Sequence, residues 1–437
     1  MYGPERGAPR RRGAGLVAHA AATWAAACLA ANAAQPVADA EPGSFHVPSQ
    51  PFAGEPRGPY ETGTFEEQWV DGAREDPSTS DPHDKRKVIV QVWYPAAPPK
   101  NARLAPYAIS PQLYGKNHWV HGLAHVQTRS IPGAPLAAQP GRFPILIYNH
   151  GGLHPHFSAT FQTEFLASQG YVVVSIGHPG ANEIERFPDG TPYSNDGAQW
   201  MVQPAGAREL PPRERWEYSW AKSDIHPFVE DVRFVLDRLE RLNAAPRDRL
   251  HQRLDLDRVG TLGWSLGGMV ALQAAREDSR IKAAANLDGW PFGLLGPDGV
   301  VTRGSDTPIL LMFGGGYDSG HAPRDPAEKV NAAEMEAGFA AATYYWSLLR
   351  RSTADWYHVT LERANHEHFS DVVLFRQSDA RELHPRAAHA IVNAYTLAFF
   401  DRYVRGTESG APLLSVKQQF PEATLLWGTG TPRPAPR

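Results

Sequence analysis

The chain has 437 residues, of which 42% are hydrophobic and 21% charged, with twelve Trp and a formal net charge of −4. This composition supports a sizeable buried core and excludes a disordered or fibrous polymer. No long Lys/Arg run follows the first dozen residues, so the electrostatic footprint of a nucleic-acid binder is missing.

Arg6, Arg10, Arg11 and Arg12 precede an Ala-rich apolar run from Ala14 to Ala31, closed by the small residues around Ala31-Asn32-Ala33. This is the pattern of a secretory signal peptide over residues 1–33, which predicts export to the periplasm or the extracellular space. Left uncleaved, the run would be a membrane anchor just long enough to span. Cys28 is the only cysteine, so no disulfide can form within the chain and stability must come from its core. Ala25-Ala26-Ala27-Cys28 weakly resembles a bacterial lipoprotein cleavage site, the alternative in which Cys28 carries a lipid anchor.

Residues 34–85 are rich in Pro, Gly, Asp and Glu without a sustained period, which predicts an irregular N-terminal extension. One catalytic domain is expected over 86–428, with a disordered tail over 429–437. Val88–Tyr94, Pro144–Tyr148 and Tyr171–Ile176 are apolar runs with the length and β-branching of buried strands. Phe157–Gln169 between the last two has helical spacing and stops at Gly170, giving the strand, helix, strand order of a parallel sheet. Apolar residues recur three and four apart from Ser223 to Leu242, the mark of a long amphipathic helix.

Val259–Leu262 is then a short strand, followed by Gly263-Trp264-Ser265-Leu266-Gly267-Gly268 and a helix over Met269–Arg276. A strand, a sharp turn holding G-x-S-x-G and a helix form a nucleophile elbow, in which the glycines make room around a strained serine. The expected fold class is therefore α/β, an α/β-hydrolase with a mostly parallel central sheet flanked by helices. Ser265 is the candidate nucleophile. It needs a His to take its proton and a carboxylate to orient that His. Lys282–Leu287 is a strand that ends at Asp288, and Ile309–Phe313 is a strand followed by Gly314-Gly315-Gly316-Tyr317-Asp318, so two carboxylates compete for the role. Tyr357–Leu361 is a strand leading into a loop with two candidate bases, His366 and His368. The chemistry requires no cofactor and no metal: His150, His154 and His156 lack any metal-binding framework and read as loop histidines.

Several segments resemble the platelet-activating factor acetylhydrolases and their bacterial relatives over most of residues 85–405. These are Val92-Trp93-Tyr94-Pro95, Ile147-Tyr148-Asn149-His150-Gly151-Gly152, the serine elbow, Leu287-Asp288-Gly289-Trp290 and His366-Glu367-His368-Phe369-Ser370-Asp371. The resemblance implies Ser265, Asp288 and His366 as the catalytic residues, with His368 where the family carries Asn. It implies an oxyanion hole made by the backbone N–H groups of Leu266 and Gly152, although Gly152 replaces a larger residue of the family. His150 would shape that loop, and His178-Pro179-Gly180 would line the pocket or make a turn.

The expected activity is that of a serine esterase on a small-molecule or lipid ester, with short-acyl or oxidised phospholipids as candidates and transient contact with a lipid surface. Polyester or small-ester hydrolases, thioesterases and acyltransferases share every residue named, whereas the intact constellation disfavours a non-catalytic binding protein. Asn182–Lys222 is an aromatic-rich insertion long enough to form a lid. Phe339–Leu349 reads as a helix that completes the core.

Overall fold

The computed structural model describes residues 50–52, 57–77, 79, 81–138, 141–193, 224–289, 304–315, 348–377, 379–408, 410–415 and 419–430. The leader, Cys28, Trp290, Asp318, most of the aromatic insertion, most of Phe339–Leu349 and the last seven residues lie outside these.

Ten strands are present among the described residues: β1 (Glu61–Glu75), β2 (Lys85–Ala96), β3 (Ile131–Pro132), β4 (Phe143–Asn149), β5 (Val172–Gly177), β6 (Leu254–Trp264), β7 (Ile281–Leu287), β8 (Ile309–Gly314), β9 (Trp356–Leu361) and β10 (Ala423–Gly428). They form one sheet in the order β10-β9-β8-β7-β6-β4-β5-β2-β1-β3. The six strands from β9 to β5 are mutually parallel, while β2 joins β5 and β10 joins β9 antiparallel. This mostly parallel sheet, covered by helices, is the α/β-hydrolase architecture expected from the sequence.

The side-chain period of two sends alternate residues to two cores. Ile145, Ile147, Val172 and Val174 face one core together with Phe228, Val232 and Leu236 of α2 (His226–Ala244) and Met269 and Val270 of α3 (Leu266–Glu277). Leu146, Tyr148 and Val173 face the other, together with Phe161 and Phe165 of α1 (Thr160–Ser168), Phe375 of the short α4 (Val372–Phe375), and Val392 and Phe399 of α5 (Pro385–Phe400). Each such large apolar side chain stabilises the fold by about 1.5–3 kcal/mol when fully buried. Among the described residues, no helix is long and apolar enough to cross a membrane.

The extension expected to be irregular over 34–85 is not irregular throughout. Residues 61–75 are a fifteen-residue strand laddered to β2 from Glu61↔Ala96 to Asp71↔Arg86. Its polar residues hide the signal, because the strand buries Thr62 and Thr64 on one face and Phe65 and Trp69 on the other and takes its stability from cross-strand pairing rather than its own composition. Gly63 is required at the crossing, since a Cβ there would strike the ring of Tyr94. The helix expected from Phe157 begins three residues later, at Thr160, because its N-terminal N–H groups are satisfied by a carboxylate from far along the chain, that of Asp371.

Candidate active site

β6 and α3 are joined by Ser265 alone, with φ 55° and ψ −120°. A side-chain-bearing residue held there costs on the order of 1–3 kcal/mol and persists only where its surroundings over-determine it. They do: the Ser265 N–H donates to the Leu287 carbonyl at 2.9 Å, and the Gly268 N–H donates to the Ser265 carbonyl at 3.0 Å. A Cβ on Gly263 would collide with the Gly267 backbone, and one on Gly267 with the Asn149 carbonyl. The two glycines therefore let the elbow pass between β4 and α3.

Asp288 follows β7 directly, is fully buried and also has a positive φ, 55°. Its N–H donates to the Met312 carbonyl at 2.8 Å, and one carboxylate oxygen accepts the Gly314 N–H at 3.0 Å. The other oxygen lies 2.6 Å from Nδ1 of His366. A proton on Nδ1 held by this carboxylate leaves Nε2 with the basic lone pair. His366 opens a short 3₁₀ turn, His366–Phe369, capped by Asn365, and its side chain keeps 23% of its surface exposed. The indole N–H of Trp264 donates to the His366 carbonyl at 2.9 Å.

His368 is placed otherwise. It is buried, its Nε2–H donates to the Leu383 carbonyl at 2.7 Å, and its Nδ1 accepts the Asn365 N–H at 3.1 Å. Burial holds its imidazole down at about 4, so it is a neutral strut of the loop. Of the sequence's two histidines and two carboxylates, the structure brings His366 to Asp288. Asp318 lies outside the described residues.

The loop after β4 is held from several sides. Leu153 N–H donates to the Ala181 carbonyl at 2.7 Å, and His154 N–H to the Gly151 carbonyl at 3.2 Å. A Cβ on Gly151 would strike the Trp264 indole, so loop and elbow touch where a glycine leaves room for the ring. Leu266 is the first residue of α3, and its N–H therefore has no partner within the helix. Burial keeps His150 neutral, well below its ordinary value. Its Nδ1–H donates to the Gly151 carbonyl at 2.7 Å, while Nε2 accepts the His178 N–H at 3.1 Å. It shapes the loop. His154 lies against Trp264, ring centres 4.7 Å apart, and His156 pairs with Glu66 at 3.0 Å. Among the described residues, no three His, Cys, Asp or Glu side chains are grouped to hold a metal ion.

Two contributors were not singled out from the sequence. Trp264 is the unspecified residue of the G-x-S-x-G turn, and nothing local reveals that its N–H reaches the His366 loop. Asp371 binds that loop to the start of α1, and its one sequence signal was its place at the end of the His366–Asp371 segment.

No family model matches the chain. A probable 1-alkyl-2-acetylglycerophosphocholine esterase of Arthroderma benhamiae is 26% identical over 299 residues, covering 64% of this chain and 68% of that protein. The platelet-activating factor acetylhydrolase of Cavia porcellus is 29% identical over 162 residues, and that of Bos taurus 25% identical over 167. Each of these two matches covers 35% of this chain and 36% of the relative. Among solved structures, a ferulic acid esterase from Streptomyces cinnamoneus superposes with a TM-score of 0.59 at 26% identity, covering 84% of this chain and 96% of that one.

Proposed function

We propose that this chain, an α/β-hydrolase related to the platelet-activating factor acetylhydrolases, hydrolyses carboxylic esters with Ser265 as nucleophile, His366 as general base and Asp288 as the acid that orients it. The observation that carries this reading is the 2.6 Å contact between Asp288 and His366 Nδ1, on the loop that Trp264, the neighbour of the strained Ser265, binds by its indole N–H.

In the proposed mechanism His366 Nε2 takes the Ser265 hydroxyl proton as the oxygen attacks the ester carbonyl. The N–H groups of Leu266 and Gly152 receive the developing oxyanion, each contributing about 3–4 kcal/mol to the lowering of the barrier. His366 then gives the proton to the departing alkoxide. A water deprotonated by the same imidazole releases the acid and restores Ser265. Residues 1–33 direct export, which delivers the enzyme to extracytoplasmic esters.

The names of the curated relatives favour a short acyl ester of a glycerophospholipid as substrate, reached by transient contact with a lipid surface. The ferulic acid esterase likeness, which covers nearly all of that protein, favours a second reading, an aromatic acyl ester. Hydrolysis of p-nitrophenyl esters from acetate to palmitate, followed by an sn-2 acetyl phospholipid and a feruloyl ester, separates the two. Ser265→Ala and His366→Ala are expected to lose ~10⁴-fold or more in kcat, and Asp288→Asn to fall far below Asp318→Asn. Equal, negligible turnover by wild type and Ser265→Ala across every substrate would refute the esterase reading.

A further inference from the structure

His178, at the end of β5, is buried together with Asp231 of α2 and Arg86 of β2. The Asp231 carboxylate accepts Arg86 Nε at 3.0 Å and Nη2 at 2.7 Å, and Arg74 Nη2 at 2.8 Å, while Arg86 Nη1 reaches Asp76 at 2.9 Å. The same carboxylate lies 3.0 Å from His178 Nδ1. Arg74 of β1 and Arg86 of β2 thus converge on the α2 carboxylate that faces the imidazole.

The other side of His178 faces the catalytic machinery. Its Nε2 lies 3.1 Å from Asn149 Oδ1, so both ring nitrogens face oxygen acceptors, and the imidazole bonds the two at once when both nitrogens carry a proton. The Asn149 amide is turned that way because its Nδ2 donates to the Leu262 carbonyl at 3.1 Å and to the Thr261 hydroxyl at 3.2 Å. The His178 N–H donates to His150 Nε2, which leaves His150 Nδ1–H for the Gly151 carbonyl. One residue therefore holds both residues that precede Gly151 and Gly152, and Asn149 is also the residue whose carbonyl packs against Gly267 of the elbow.

We propose that His178 is a positioning residue: clamped by Asp231, its imidazole fixes Asn149, beside the hold of its backbone N–H on His150, so that the loop bearing the Gly152 N–H keeps the geometry that stabilises the oxyanion. This rests on the esterase reading above. Such a role acts on the transition state and hardly on the bound substrate, so it predicts a split between kinetic constants that a merely structural role would not give.

The test uses the full mature chain with p-nitrophenyl acetate and an aryl trifluoromethyl ketone, which adds to the serine to give a tetrahedral oxyanion. His178→Ala is expected to lower kcat about 50-fold or more with KM changed less than threefold, and to raise the ketone's Ki by the same factor as the loss in kcat/KM. His178→Gln is expected to recover part of both. Asn149→Ala cuts the clamp from the loop side while leaving Asp231 and Arg86 paired, and is expected to show the same split should His178→Ala not fold. Folded variants with wild-type kcat, or with a lowered kcat and an unchanged ketone Ki, overturn the proposal. Turnover by Ser265→Ala equal to that of wild type would instead overturn the site reading itself, and the proposal with it.

Discussion

The indole N–H of Trp264 donates to the carbonyl of His366 at 2.9 Å, so the residue before the proposed nucleophile is bonded to the backbone of the proposed base. Trp264→Phe keeps an aromatic ring against His154 and His366 but removes this donor. Because a hydrogen bond of this kind contributes about 1 kcal/mol, and 1.4 kcal/mol corresponds to tenfold in rate, kcat/KM is expected to fall roughly 5–10-fold. Steady-state kinetics on a p-nitrophenyl ester checks it, and an unchanged value would show that the base loop is held without Trp264.

The loop of the proposed base has a second anchor in Asp371. Its carboxylate accepts the N–H groups of Thr160 at 2.6 Å and Phe161 at 3.0 Å and the Tyr107 hydroxyl at 3.0 Å. Burial pushes this carboxyl up, toward about 8, but donors face both oxygens at a helix N-terminus, an arrangement that the anion satisfies best. Asp371→Asn turns one acceptor into a donor aimed at donors. It is expected to cost about 2–3 kcal/mol in urea unfolding. A loss below half a kcal/mol would mean that the carboxyl is already protonated.

Acid should weaken the fold partly through His358 and His368, both buried and held down at about 4 by that burial. Their values in the unfolded chain are near 6.5, so the unfolded state binds more protons in between. The stability they contribute is present above pH ~6.5 and is lost as pH falls toward 4, by up to about 3 kcal/mol for each. His368→Asn, which places the residue of the acetylhydrolase motif here, should flatten the decline between pH 6.5 and 4.5. Urea midpoints across this range measure it, and parallel curves for variant and wild type would rule out His368 as a contributor.

The glycines around the elbow should differ in tolerance. A methyl on Gly267 meets backbone, the Asn149 carbonyl, whereas one on Gly151 meets the Trp264 ring, which can tilt. Gly267→Ala is therefore expected to lose several kcal/mol and to yield little folded protein, and Gly151→Ala to stay folded with kcat lowered roughly tenfold. Circular dichroism and kinetics on both variants would expose the reverse order.

Gly263 and Gly267 were legible in the sequence because steric demand at a tight turn is local. So were the parallel strands, whose short apolar runs need little context, and α2, whose apolar stripe is periodic. Asp288 and His366 needed the family resemblance, since position after a strand could not separate them from Asp318 and His368. What stayed hidden depends on partners distant in the chain: β1 on its ladder with β2, the start of α1 on Asp371, and the burial of Arg86 on Asp231. A charged residue in a polar segment carries no local mark that it will be enclosed with its counter-ion.

β1 has a consequence for how the protein behaves when concentrated. It pairs with β3 only at Gly63 and Thr64, so most of its outer backbone has no strand beside it among the described residues. Such a rim is a template on which a second chain can extend the sheet. Here it carries the half-exposed Glu67 and the exposed Glu75, and its register breaks between Asp71 and Glu75. Like charges brought face to face and a bent edge both oppose intermolecular pairing, so the acidic character that disguised this segment as loop guards the molecule against growing into fibrils.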